Sequence, residues 1–225
     1  MNQNVPMALQ AVIFDMDGTL IDSEGLWVDA IAAALRQRGA AVTEDDAVRL
    51  VYGHSWPDIF RRIEVLFPGL YATRQAMEAV TVPLFQEYCR QRDIRIEPSI
   101  ALLRRLAACL PTMIVSGSTR ARVEETIAAL DLAGCLRGYV GAEDVTAGKP
   151  DPQGFLLAAR HLGVPPASCL VFEDSTAGVR AAKAAGMRCV ALRRAQAAVQ
   201  DFNTADEVLT SLADFSPERW GMPAC

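Results

Sequence analysis

At 225 residues, with 51 % hydrophobic and 22 % charged residues, the chain has the composition of a globular protein, which excludes disordered and low-complexity classes. The net charge of −5 and the absence of a basic run exclude a phosphate-backbone footprint, so no nucleic acid partner is expected. No apolar run reaches the ~18 residues a membrane span requires, so no membrane partner is expected either.

In chain order, Met1 to Gln10 lacks the charged and apolar regions of a signal peptide, which predicts a reducing, cytoplasmic setting. Ala11-Val12-Ile13-Phe14 is a short, continuous apolar run, as suits a strand buried on both faces. From Ser23 to about Asp93 no strand signal occurs. Leu26 to Leu35, Asp46 to Val51, Ile59 to Phe67 and Gln75 to Cys89 read as helices. Thr43 and Ser55 each stand three residues before an acid, Asp46 and Asp58, a capping-box-like start. Helices are also predicted over Ile100 to Cys109, Arg122 to Leu130, Phe155 to Leu162 and Ala177 to Ala185. Asp151 is placed as an N-cap with Pro152 at the first helical position, and Gly186 as a stop. Between them lie strand-like runs at Thr112 to Val115, Cys169 to Phe172 and Cys189 to Leu192, with a weaker one at Tyr139-Val140. Ala205 to Val208 is read as a last edge strand.

Strands alternating with helices imply right-handed βαβ units. The expected fold class is therefore α/β, a doubly wound, Rossmann-like parallel sheet with a second, smaller all-helical domain. Residues 1–22 and 94–225 form the predicted core, residues 23–93 the helical cap, and Ile21–Gly25 and Arg92–Glu97 the linkers. The six cysteines form no CxxC pair, and only two histidines exist. A zinc site is not expected, and the cysteines are read as buried free thiols.

The sharpest signal is Asp15-Met16-Asp17-Gly18-Thr19-Leu20, directly after the first strand. Acids at i and i+2 in a loop can face one pocket, and Gly18 permits a turn that a Cβ would obstruct. A second acidic pair, Glu173-Asp174, also follows a buried strand. Ligands of an open parallel sheet bind beyond the carboxyl ends of its strands, at the switch point. Four loops at that edge would supply Asp15 and Asp17, Ser116-Gly117-Ser118, Lys149, and Glu173-Asp174. Two like charges about 4 Å apart repel by roughly 4 kcal/mol at an effective dielectric of 20. Either the carboxyl pKa values rise or a cation sits among them. An all-oxygen acidic site suits a hard ion, Mg²⁺ first, and Mg²⁺ favours a phosphate substrate. Ser116 and the Gly117 N–H at a strand-to-helix turn, together with Lys149, suit phosphoryl oxygens.

In these four loops, taken in order, the sequence resembles the haloacid dehalogenase (HAD) superfamily of phosphotransferases. The motifs are Asp15-Met16-Asp17-Gly18-Thr19, Ser116, Lys149-Pro150 and Glu173-Asp174-Ser175. The helical insert resembles the family's small C1-type cap. Asp22-Ser23-Glu24 and Leu26-Trp27 resemble the branch of sugar-phosphate phosphatases and β-phosphoglucomutase.

The resemblance implies a Mg²⁺-dependent phosphatase of small phosphorylated metabolites, sugar phosphates foremost, present as a monomer or weak homodimer. Asp15 would be the nucleophile and form an aspartyl-phosphate. Asp17 would serve as general acid, then base. The metal would be held by Asp15, the Asp17 backbone carbonyl and Asp174, with Glu173 bound to it or beside it. Ser116, Gly117 and Lys149 would bind phosphate, and Thr19 would support the first loop. Ser118 and Arg120 are candidates for contacting the leaving group. In the cap, Gly53, His54, Trp56 and Trp27 are the specificity candidates, the tryptophans equally suited to core packing.

Three alternatives remain: a β-phosphoglucomutase-like phosphomutase, a 2-haloacid dehalogenase, and a non-enzymatic phospho-acceptor. Mutase relatives carry an arginine where this chain has Trp56 and a histidine where it has Trp27, and both differences weigh against capture of a second phosphate. Asp17 weighs against the dehalogenase, whose members lack the second aspartate. The cap weighs against the phospho-acceptor.

Overall fold

The computed structural model describes residues 8–51, 56–194 and 200–222. By contact density the chain divides into two compact units, Met1–Ile21 with Arg95–Cys225, and Asp22–Ile94. In chain order the elements are β1 (Ala11–Phe14), α1 (Glu24–Gln37), α2 (Glu44–Val51), α3 (Trp56–Leu66), α4 (Arg74–Gln91) and α5 (Glu97–Ala107). There follow β2 (Thr112–Val115), α6 (Arg120–Ala129), β3 (Gly138–Val140), α7 (Gln153–Leu162), β4 (Cys169–Glu173), α8 (Thr176–Ala184), β5 (Arg188–Leu192) and β6 (Glu207–Leu209).

The first unit is a six-stranded sheet of order β3-β2-β1-β4-β5-β6, every neighbouring pair parallel. This is the doubly wound order, in which the winding reverses between β1 and β4 and opens a crevice beyond their carboxyl ends. Every residue of β1, β2 and β4 is buried, so apart from Thr112 at the start of β2 and Glu173 at the end of β4 these strands are continuous apolar runs rather than alternating. On one face Ile13, Met113 and Val171 pack with Phe155 and Ala158 of α7 and Val179 and Ala182 of α8. On the other, Phe14 stacks on Phe172 at 4.6 Å, and Phe215 meets Phe172 edge-on at 5.0 Å. Full burial of each such ring contributes about 1.5–3 kcal/mol, so the strands that carry the acidic loops are anchored in the packed core.

Local chemistry sets the helix starts. Thr119 Oγ1 accepts the Arg122 N–H, and Ser175 Oγ the Gly178 N–H, capping α6 and α8. α7 begins one residue later than the Asp151 cap implies. Pro152 is the N-cap, while Asp151 Oδ1 accepts the Gln153 N–H at 2.9 Å, because the aspartate folds onto the amide two residues on. Gly186, at φ +75°, follows α8. The edge strand β6 lies at Glu207–Leu209 rather than one or two residues earlier.

The second unit consists of α1 to α4. Thr43 and Asp46 form a reciprocal cap, the Thr43 N–H donating to Asp46 Oδ2 at 3.1 Å and the Asp46 N–H to Thr43 Oγ1 at 3.2 Å. The corresponding start at Ser55 lies outside the described residues. Ile31, Leu35, Leu50, Ile59, Ile63 and Met77 form the unit's core.

Among the described cysteines, Cys135, Cys169 and Cys189 carry free thiols, Cys169 and Cys189 buried and Cys135 half-buried. Cys109 corrects the expectation of free thiols throughout: it is disulfide-bonded. Spacing along the sequence carries no trace of such a pairing, because only the folded chain sets which thiols meet. Among the described residues, no helix is long and apolar enough to cross a membrane.

Candidate active site

β1 ends at Phe14, and the next residue, Asp15, leaves the strand at the point where winding reverses. Its N–H donates to the Phe172 carbonyl at 2.9 Å, which ties the loop to β4. Gly18 then turns the chain at φ +86°. A Cβ there would lie 1.9 Å from Asp174 Oδ2. The glycine therefore serves two ends at once, a left-handed turn and the close approach of the second acidic loop.

Asp15, Glu173 and Asp174 are all buried and bring carboxylate oxygens within 4.8 Å of one another. Lys149, preceding a cis bond to Pro150, sends its Nζ between them. It donates to Asp15 Oδ1, to Glu173 Oε1 at 2.7 Å and to the Val115 carbonyl at 3.2 Å. Burial, and then the neighbouring carboxylates of Glu173 and Asp17, push the Asp15 carboxyl up to about 7 against the pull of Lys149. Burial alone would lower the Lys149 ammonium, but Asp15 and Glu173 outweigh it and hold the ammonium above its ordinary range. Three buried acids and one ammonium leave the cluster short of positive charge. Its all-oxygen donors fit a hard divalent cation, and the cluster could hold a metal.

Glu173 is the most constrained of the three. Its Oε2 accepts the Asp174 N–H at 2.9 Å, the Ser175 N–H at 2.8 Å and the Ser175 hydroxyl at 2.9 Å. Gly178, one turn into α8, leaves room for the folded-back carboxylate, since a Cβ there would lie 1.7 Å from Glu173 Oε1. Ser175 stands in the sequence reading only as the last residue of the fourth motif, without a role, and Gly178 does not figure in it. The only available signal was an N-cap serine three residues before a glycine, a pattern shared by many helix starts.

The Asp17 side chain is held by the serines of the second loop. Its Oδ2 accepts from Ser118 Oγ at 2.8 Å and Ser116 Oγ at 3.3 Å. The sequence expectation for Asp17 as a ligand invoked its backbone carbonyl rather than this side chain. Thr19, fully buried, donates from Oγ1 to Asp174 Oδ1 at 3.4 Å. Gly117 is exposed, with open space where a Cβ would stand. A cleft of about 190 Å³ runs from Ser116 and Gly117 to Lys149, floored by Val115, Val140, Val145 and Phe155.

The remaining described candidates make contacts within their own units. Arg120, at the start of α6, is exposed and ion-paired to Asp144, and its N–H donates to Glu143 Oε2 at 2.9 Å. In the helical unit Trp27 stacks on Phe85 at 3.6 Å and meets Trp56 edge-on at 4.9 Å. Both tryptophans pack against that unit's core. Gly53 and His54 lie outside the described residues.

A parallel sheet of this order, with paired acids after β1 and β4 and a lysine between them, defines a class of hydrolase. The haloacid dehalogenase-like hydrolase family matches residues 9–186, and the chain belongs to that family. It is 34 % identical over 230 residues to a probable pseudouridine-5'-phosphatase of Drosophila melanogaster, covering 94 % of each protein. It is 31 % identical over 226 residues to the bifunctional riboflavin kinase/FMN phosphatase of Arabidopsis thaliana, covering 99 % of this chain and 59 % of that longer protein. Among solved structures it resembles a HAD family hydrolase from Deinococcus radiodurans R1, with bound phosphate and sodium, at a TM-score of 0.76 and 26 % identity. That match covers 96 % of this chain and 99 % of the other.

Proposed function

We propose that the protein hydrolyses small phosphate monoesters of the sugar-phosphate kind, with Mg²⁺, through an aspartyl-phosphate on Asp15. Membership of a hydrolase family and relatives named as phosphatases support a phosphoric monoester hydrolase. The observation that carries the mechanism is the buried set of Asp15, Glu173 and Asp174 with Lys149 among them, beyond β1 and β4 where the winding reverses.

Asp15, Asp174 and the Asp17 carbonyl would hold the metal, with Glu173 bound to it or beside it. When bound, the ion supplies charge that lets a carboxylate approach a dianionic phosphate. Lys149, fixed by Glu173 and the Val115 carbonyl, meets a phosphoryl oxygen as a point charge already in place. Ser116 and the Gly117 N–H orient the other oxygens. An Asp15 carboxylate oxygen attacks phosphorus as the bond to the leaving oxygen breaks. Asp17 gives that oxygen a proton, then takes one from the water that cleaves the acyl phosphate.

The test is phosphate release from a panel of sugar phosphates, nucleotides and phosphoglycolate, with chelator and with Mg²⁺ restored. We expect sugar phosphates to be preferred, activity to vanish with EDTA and Mg²⁺ to return it. Chelator-resistant turnover overturns the metal assignment. Isomerisation of a sugar monophosphate primed with its bisphosphate, with no net phosphate release, overturns hydrolysis.

A further inference from the structure

Ser118 has two ordinary explanations, and the structure removes one. A serine just before a helix is expected to cap it. Yet the N-cap of α6 is Thr119, whose Oγ1 accepts the Arg122 N–H. The Ser118 hydroxyl donates instead to Asp17 Oδ2 at 2.8 Å, a contact between residues 101 positions apart.

The surrounding bonds fix the direction of that contact. The Ser118 N–H donates to Ser116 Oγ at 3.0 Å. This occupies a lone pair of Ser116 and leaves its proton for the same oxygen of Asp17, 3.3 Å away. The Ser118 carbonyl accepts the Ala142 N–H at 2.9 Å, which pins the loop to the segment after β3. Two hydroxyls, on residues joined by the Ser118 N–H to Ser116 Oγ bond and anchored to the sheet edge, thus converge on one carboxylate oxygen.

We propose that Ser118 is a positioning residue for Asp17: its hydroxyl, with that of Ser116, holds the side-chain orientation from which Asp17 exchanges protons with the leaving oxygen and then with water. The proposal rests on the reading of Asp17 as general acid and base. The proton balance is complete without another reactant. The Asp17 proton goes to the oxygen released as the phosphorus–oxygen bond breaks. A water proton returns to Asp17 as the hydroxyl displaces Asp15 from phosphorus.

The experiment compares Ser118→Ala, Ser118→Thr and Asp17→Asn on two substrates. One is the sugar phosphate that the panel turns over fastest, whose alkoxide must be protonated to leave. The other is p-nitrophenyl phosphate, whose phenolate leaves without a proton. For Ser118→Ala we expect kcat/KM to fall about tenfold on the sugar phosphate and less than about threefold on the aryl ester, with KM little changed. Ser118→Thr, which keeps the hydroxyl, should restore most of the loss. Equal losses on both substrates, a loss confined to KM, or no loss overturns the proposal. Asp17→Asn must show the same leaving-group contrast, larger. If it does not, the reading of Asp17 fails. If it does and Ser118→Ala does not, only the role of Ser118 fails.

Discussion

The two units invite opposite readings of the same residue types. At the sheet's carboxyl edge, polar side chains are buried or half-buried and bonded across long stretches of sequence: Lys149 reaches Asp15 and Glu173, Thr19 reaches Asp174, and Ser118 reaches Asp17. In the helical unit the most conspicuous side chains, Trp27 and Trp56, meet each other and Phe85 in an apolar cluster. Buried polar groups are costly unless paired, so where a fold gathers them it is holding chemistry. Stacked rings lower the free energy by packing alone. The comparison assigns chemical competence to the first unit and stability to the ring cluster of the second.

The severest way to break it is Asp15→Asn. We expect turnover to fall about 10⁴-fold or more, since the amide is no nucleophile, with far-UV circular dichroism unchanged. Full activity would remove Asp15 from the reaction.

Gly178→Ala comes next. An alanine in a helix is ordinarily worth about 0.5–1 kcal/mol over glycine. Here its Cβ would overlap the Glu173 carboxylate. We therefore expect the reverse sign, a loss of about 1–3 kcal/mol in denaturant melts. We also expect kcat/KM to fall about 10²-fold as Lys149 loses its support. A more stable variant would show that Glu173 is not held as described.

The pH dependence sharpens the first half of the comparison. Burial raises the Asp15 carboxyl from 3.8 to about 7, so the native state binds this proton more tightly than the unfolded chain does. Its stabilising contribution is complete below 3.8 and is lost as pH rises through about 7. Metal-free wild type should match Asp15→Asn in thermal melts at pH 4 and fall below it at pH 8. Mg²⁺ should close the gap. A wild type that gains on the variant as pH rises would contradict the charge-crowded site.

The smallest effect on chemistry is expected from Trp27→Ala. Loss of the stack on Phe85 should cost about 2–3 kcal/mol and leave the ranking of sugar phosphates unchanged. Turnover of p-nitrophenyl phosphate should stay within about threefold. Trp27→Phe should recover the stability.

Much of the core was legible because its signals are local. Continuous apolar runs ending at Asp15 and Glu173 mark strands that carry acids off their carboxyl ends, and Gly18 marks the turn between them. The illegible part was the pairing. Nothing near Ser175 or Gly178 announces that Glu173 folds back onto them, and nothing near Ser118 announces Asp17. Thr119 and Ser118 are equally plausible caps until the backbone chooses one. The disulfide at Cys109 was illegible for the same reason.

By itself the sequence determined which chemical groups the protein possesses, their order, and the strands from whose ends they emerge, because hydrophobic periodicity and turn residues act over a few neighbouring positions. Only the tertiary structure decided which group holds which: Lys149 between Asp15 and Glu173, and two serines on one oxygen of Asp17. Hydrogen bonds act over about 3 Å, and residues a hundred positions apart come that close only once the sheet has wound.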